Sequence, residues 1–139
     1  MSQTRERKEM EETPSKTILI IEDHEGISNA LRIILEDESY RVEVWITAKD
    51  VHSFQKPFPD LIFLDLHPLT MNGKKICQQL KEQPDTRSLP IILMSVDKHL
   101  PQIAGEAGAD DWLFKPFNVE TVFALLDKYI GTAVAEPPD

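Results

Sequence analysis

Asp60-Leu-Ile-Phe-Leu-Asp65-Leu-His-Pro-Leu-Thr-Met-Asn-Gly73 is the stretch whose reading decides the fold. Leu61 to Leu64 form an apolar run short enough for a strand buried on both faces. The run ends at an acid, Asp65, and Pro68, Asn72 and Gly73 then supply loop chemistry before an amphipathic segment begins. A carboxylate that closes a buried strand sits at the carboxyl end of a sheet, where open α/β folds bind ligands. By itself the stretch permits a second reading, in which Asp65 only caps the helix that follows.

Working outward, the same strand-then-helix pattern recurs on both sides. Ile18 to Ile21 is a buried run ending in Glu22-Asp23, and Ile27, Ala30, Leu31, Ile34 and Leu35 fall on one helical stripe. Val42, Val44 and Ile46 alternate with Glu43 and Trp45, the pattern of an edge strand with one face to water. A short helix is expected around 47–55, before Pro57 and Pro59. Next, Met71, Ile76 and Leu80 mark a helix that stops before Pro84. Leu89 to Met94 form another continuous apolar strand ending in Ser95. Segment 98–107 reads as a weak helix, since it holds Pro101 and Gly105. Trp112 to Phe114 is a last short strand ending in Lys115-Pro116. Asn118 is an N-cap for a final helix with Val119, Val122, Leu126 and Tyr129 inward. Five βα units with continuous apolar central strands predict a parallel sheet with helices on both faces, and no internal repeat is present.

Composition sets the outer bounds. A chain of 139 residues is one domain by size, with room for a core. The formal charge of −9 disfavours direct nucleic-acid binding, which needs a basic face. Cys77 is the only cysteine, so no intrachain disulfide forms, and a reducing compartment fits. Residues 1–15 and 132–139 read as disordered tails flanking a domain over 16–131. With no signal-like segment and no apolar run near the roughly 18 residues a membrane helix needs, the expected location is the cytoplasm, without membrane insertion.

The polar residues then align. Glu22 and Asp23 end the first strand, Asp65 the third, Ser95 the fourth and Lys115 the fifth. Right-handed crossovers bring those ends to one edge of the sheet. Each residue has an ordinary explanation alone: Asp23 or Ser95 as a helix cap, Lys115 as a solvated lysine. Four such coincidences at four strand ends are a different matter. Clustered carboxylates raise one another's pKa, and a hard divalent cation with oxygen ligands, Mg²⁺, relieves them. A lysine and a hydroxyl beside that cation suit the oxygens of a transferring phosphoryl group, with Asp65 the candidate nucleophile.

These residues resemble the receiver domain of two-component response regulators, from about Lys16 to Gly131. The motifs are an acidic pair after strand one, an Asp after strand three with Gly73 eight residues on, a Ser/Thr after strand four and Lys-Pro after strand five. The resemblance implies a flavodoxin-like (βα)5 fold with strand order 2-1-3-4-5. It makes Asp65 the phosphoacceptor, Ser95 the switch hydroxyl and Lys115 the phosphate-binding ammonium. Side chains of Asp23 and Asp65 would hold Mg²⁺, with Glu22 acting through water and the backbone carbonyl of His67 as a further ligand. The Lys115-Pro116 bond would be cis, and Trp112 takes the place of the family's rotating aromatic.

Three positions depart from the family pattern. Leu69 stands where the loop after the acid usually has its proline, with Pro68 one place earlier. Val96 replaces the usual Ala or Gly after Ser95, which implies a narrower phosphoryl pocket, and Trp112 is larger than the usual Tyr or Phe. None removes a reacting group. A haloacid-dehalogenase-type phosphatase would need a second acid two residues after Asp65, and His67 is there. His24, His52, His67 and His99 are scattered surface residues without metal-ligand spacing, and Cys77 is a packing residue. The expected function is therefore a stand-alone receiver, monomer or weak dimer, phosphorylated on Asp65 by a sensor histidine kinase or phosphotransfer protein. It would pass the signal to a downstream protein target through the helix at 98–107, the last strand and the last helix. The rival reading is a receiver-like docking module that works without phosphorylation.

Overall fold

The computed structural model describes residues 15–48, 51–66 and 72–131. Except for Ser15, the two tails lie outside the described residues, as do His67, Pro68, Leu69 and Met71. Five parallel strands run in the order β2-β1-β3-β4-β5: β1 Thr17–Ile21, β2 Arg41–Trp45, β3 Leu61–Asp65, β4 Ile91–Ser95 and β5 Asp111–Phe114. Four helices alternate with them: α1 Glu25–Asp37, α2 Gly73–Glu82, α3 Leu100–Ala107 and α4 Val119–Tyr129. Registers such as Ile18 with Leu61 and Ile62 with Ile91 stack the apolar runs side by side at the centre of the sheet.

Because successive strand residues face opposite ways, each apolar run feeds two cores. Ile18, Ile20, Phe63, Ile92 and Met94 meet α1 and α4 on one side. Leu19, Ile21, Ile62, Leu64 and Leu93 meet α2 and α3 on the other. This is why β1, β3 and β4 read as continuous rather than alternating runs. Fully buried side chains such as Phe63 contribute roughly 1.5–3 kcal/mol each, so these two layers hold the strand ends in place.

Several local expectations are corrected. The helix expected around 47–55 is a 3₁₀ turn over Val51–Ser53. Pro57 and Pro59 bias the residues before them away from helix, so a propagating helix has no room. On β2, Val42 is half-buried, but Ile46 is 72 % exposed and Trp45 packs inward on Phe54. Ile46 lies past Trp45, the last residue paired with β1, so no neighbouring strand covers it. In α1, Ser28 rather than Ala30 is buried, its hydroxyl satisfied by the Glu25 carbonyl at 3.1 Å. In α4 the buried residues are Val122, Leu125 and Leu126, while Val119, next to the cap, is exposed.

The weak helix forms despite Pro101 and Gly105. Pro101 falls in the first turn, where a missing N–H costs nothing, and Gly108 at φ +76° closes the helix in the left-handed conformation. Gly105 is helix-interior, and a Cβ built on it meets no atom within 4 Å. Gly105→Ala is therefore expected to stabilise the protein by about 0.5–1 kcal/mol, seen as a higher urea midpoint with unchanged slope.

Candidate functional site

The four strand ends converge as the topology requires. Asp65 is the last residue of β3 and Ser95 the last of β4; Glu22 directly follows β1 and Lys115 directly follows β5. The Lys115 backbone N–H donates to the Ser95 carbonyl at 2.9 Å, and the Glu22 N–H donates to the Trp45 carbonyl at 3.0 Å. Backbone bonds between strands thus set where both side chains start. Lys115-Pro116 is cis, as the resemblance implied, and Lys56-Pro57 is cis as well.

Glu22, Asp65 and Ser95 are buried, Asp65 to 1 % exposure, while Asp23 is exposed at the mouth. The Lys115 ammonium donates to Asp65 Oδ1 at 2.6 Å and to Glu22 Oε1 at 2.9 Å. Ligand oxygens of Glu22, Asp23 and Asp65 all lie within 4.8 Å of one another. The second oxygen of Asp65, Oδ2, is buried and accepts no hydrogen bond from the described residues. A buried, unpartnered carboxylate oxygen is costly unless some other group completes it. Three oxygen donors and an orphan lone pair fit a hard divalent cation.

The electrostatics follow from the packing. Burial pushes the Glu22 carboxyl above the usual range, and the Asp65 charge adds to this, while the hydrogen bond from Lys115 works against it. Burial pulls the Lys115 ammonium down, but its bonds to Asp65 and Glu22 outweigh that and hold it above its ordinary value. Cys77 is fully buried, and burial pushes its thiol up to about 12, which suits packing and not reactivity.

Ser95 Oγ accepts the Asp97 N–H at 3.0 Å, which fixes the hydroxyl oxygen at the start of the β4–α3 loop. A cavity of about 560 Å³ opens beside it, lined by Leu66, Gly73, Lys74, Ser95, Val96 and Ile103 among others. Val96 lines this cavity and is 75 % exposed. Gly73 has a steric reason to be glycine: a Cβ there would come within 2.8 Å of the Asp65 carbonyl oxygen. Trp112 is 40 % exposed on the outer face of β5, beside Phe114 and Phe117. The structure brings Glu22, Asp23, Asp65 and Lys115 together; the carbonyl of His67 lies outside the described residues.

Two local devices were not read from the sequence. His24 caps α1, its Nδ1 accepting the Ile27 N–H at 3.2 Å, and its own N–H donates to Glu22 Oε2 at 3.2 Å. Histidine is not among the favoured N-cap types, so nothing in residue preference signalled it. The Asp97 N–H to Ser95 bond is likewise a property of the loop path and leaves no trace in composition.

The family described as the response regulator receiver domain matches residues 18–127. The chain is 31 % identical over 122 residues to the phosphate regulon transcriptional regulatory protein PhoB of Rhizobium meliloti, covering 86 % of this chain and 54 % of that protein. It is 34 % identical over 112 residues to the response regulator ArlR of Staphylococcus aureus, covering 78 % of this chain and 50 % of ArlR. The chain thus spans about half the length of these curated relatives. In fold it is similar to the receiver domain of the sensor histidine kinase PA1611 of Pseudomonas aeruginosa, whose crystal structure has a magnesium ion in its active-site cleft. That likeness has a TM-score of 0.72 at 24 % identity, covering 86 % of this chain and all of that one.

Proposed function

Since the chain belongs to the response regulator receiver family, we propose that Asp65 is its phosphoacceptor, charged by a phosphohistidine on a sensor histidine kinase or phosphotransfer protein. The observation that carries this reading is Asp65 itself: one oxygen held by Lys115, the other buried and without a partner among the described residues. A carboxylate so fixed presents a defined lone pair to an incoming phosphorus. The Asp65 oxygen attacks phosphorus, the P–N bond breaks, and the imidazole leaves with its electron pair. The product is an acyl phosphate on Asp65. Hydrolysis later restores the carboxylate and releases inorganic phosphate.

The chain's residues divide that task. Lys115 orients Asp65 before transfer and is placed to bond a phosphoryl oxygen afterwards. The Ser95 hydroxyl, with its oxygen fixed by the Asp97 N–H, can turn its proton toward the new oxygens. Asp23 and Asp65 would hold Mg²⁺ directly and Glu22 through water, joined by the backbone carbonyl of His67. When bound, Mg²⁺ supplies positive charge against the phosphoryl oxygens. With acetyl phosphate and Mg²⁺, intact mass should show one added phosphoryl group, absent in EDTA and in Asp65→Asn. A wild-type protein left unmodified by acetyl phosphate and by phosphorylated kinases would overturn the reading in favour of a phosphorylation-independent docking module.

The signal would leave through α3, β5 and α4 as protein contacts. Trp112, Phe114 and Val119 supply exposed apolar surface there. The switch would be a shift between two states, biased by what the phosphoryl group contacts in each. When the Ser95 hydroxyl turns inward, Trp112 would move from its exposed position into the space vacated. In a Trp45→Phe background, saturating beryllofluoride with Mg²⁺ should therefore shift Trp112 emission and reduce its quenching by iodide. Unchanged emission and quenching would remove Trp112 from the switch.

A further inference from the structure

The far edge of the sheet builds a pocket that this phosphoryl chemistry does not use. Beyond the 3₁₀ turn at Val51–Ser53, the chain from Phe54 to Pro59 lies against the side of β2 that carries Glu43 and Trp45. The result is a cavity of about 260 Å³ lined by Glu43, Trp45, Phe54, Pro57, Phe58 and Pro59, with Leu19, Ser53 and Gln55. The Trp45 and Phe54 ring centroids are 5.0 Å apart and their planes are inclined by 50°, so the two rings touch in a tilted contact and Phe54 backs the indole. Phe54 is buried, while Trp45 and Phe58 are only partly so. Glu43 is exposed, and among the described residues it is the only charged one lining the cavity. The adjacent Lys56 is not part of the lining.

We propose that this pocket receives the guanidinium of an arginine side chain from a partner protein. Aromatic faces attract a cation through their ring quadrupoles, tryptophan most strongly, and arginine is the usual guest. A guanidinium is planar and weakly hydrated, so it enters a half-apolar pocket at lower desolvation cost than an ammonium and stacks on an indole. Glu43 at the rim then supplies the fork of carboxylate oxygens that a guanidinium's paired N–H donors match. An aliphatic or proline-rich guest would fill the apolar walls but leave that carboxylate unused. The chain's formal charge of −9 steers cationic segments toward it in general, and this pocket gives one a specific seat. The pocket shares no lining residue with the acidic site, and the proposal does not depend on phosphorylation.

The test uses the full chain carrying Trp112→Phe, so that Trp45 is the only tryptophan. Ethylguanidinium is titrated at constant ionic strength against its neutral isostere N-ethylurea, with Trp45 emission as the readout. Ethylguanidinium should give a saturable change, and N-ethylurea none over the same range. Glu43→Gln, at an exposed position that leaves folding intact, should weaken ethylguanidinium by about fivefold. Phe58→Ala should weaken it by a similar factor. The tripeptide Gly-Arg-Gly should bind at least as well as ethylguanidinium, while a proline-rich peptide without basic residues should not bind. The proposal is overturned if N-ethylurea or the proline peptide binds as well as the cation. It is equally overturned if Glu43→Gln leaves the affinity unchanged, or if no ligand gives a saturable signal.

Discussion

Replacing Lys115 by methionine is expected to lower stability by roughly 3 kcal/mol in EDTA at neutral pH, measured by urea unfolding. Lys115 touches both Glu22 and Asp65, and those two carboxylates are almost fully buried. Methionine keeps the volume but leaves two anions facing each other without a cation. The deficit should depend on pH with a definite sign. Burial, helped by the Asp65 charge, already holds Glu22 above its ordinary value, so the folded state favours its protonated form. Stability linked to such a group is present at low pH and is lost as pH rises through the raised pKa. Lys115 restrains that rise, so its removal pushes Glu22 higher still. The gap between mutant and wild type should therefore widen as pH rises through the carboxylate range and narrow on acidification. Added Mg²⁺ should recover part of the loss. A deficit independent of both pH and Mg²⁺ would mean that Lys115 acts through packing alone.

Gly73→Ala is the second large effect, and it runs opposite to Gly105→Ala. A Cβ at Gly73 meets the Asp65 carbonyl oxygen at 2.8 Å and Leu66 Cδ2 at 3.0 Å. The closest atom is backbone at the end of a fully buried strand, which cannot rotate away. Overpacking of this kind costs about 1–3 kcal/mol, more than the roughly 1 kcal/mol that alanine gains over glycine in a helix. A net loss of about 1 kcal/mol, and up to about 2 kcal/mol, is expected in chemical denaturation. Slower phosphoryl labelling should accompany it, because α2 or Asp65 must shift. Equal stabilisation by alanine at both glycines would show that the α2 terminus and β3 do not approach as closely as described.

The contrast between these glycines shows what sequence could carry and what it could not. Gly73 stands out in sequence by its spacing from Asp65, yet its reason, one backbone oxygen, exists only once β3 and α2 are packed. The strand ends were legible because β1, β3 and β4 are buried on both faces, which leaves an apolar run with an abrupt polar stop. From the strand order, convergence of Glu22, Asp65, Ser95 and Lys115 then follows by topology. Edge elements were less legible. On β2 the alternation was visible but its direction was not, since Trp45 is drawn inward by Phe54, nine residues later in the chain. The stretch before Pro57 has helix-compatible residues, and only the prolines' constraint on the preceding backbone argues against a helix. Val119 looked like a core residue because the stripe was drawn one turn too early, at a position the cap holds at the surface.

Residence of the phosphoryl group on the Asp65 carboxylate is testable at the level of the bond. An acyl phosphate is reduced by borohydride to the alcohol, which converts the modified aspartate to homoserine, whereas a free carboxylate is untouched. The protein is treated with acetyl phosphate and Mg²⁺, reduced, digested and mapped by tandem mass spectrometry. Homoserine at position 65 alone, absent when EDTA replaces Mg²⁺, is the predicted result. Homoserine at Asp23 or another acid, or phosphoryl label with no homoserine anywhere, would contradict it.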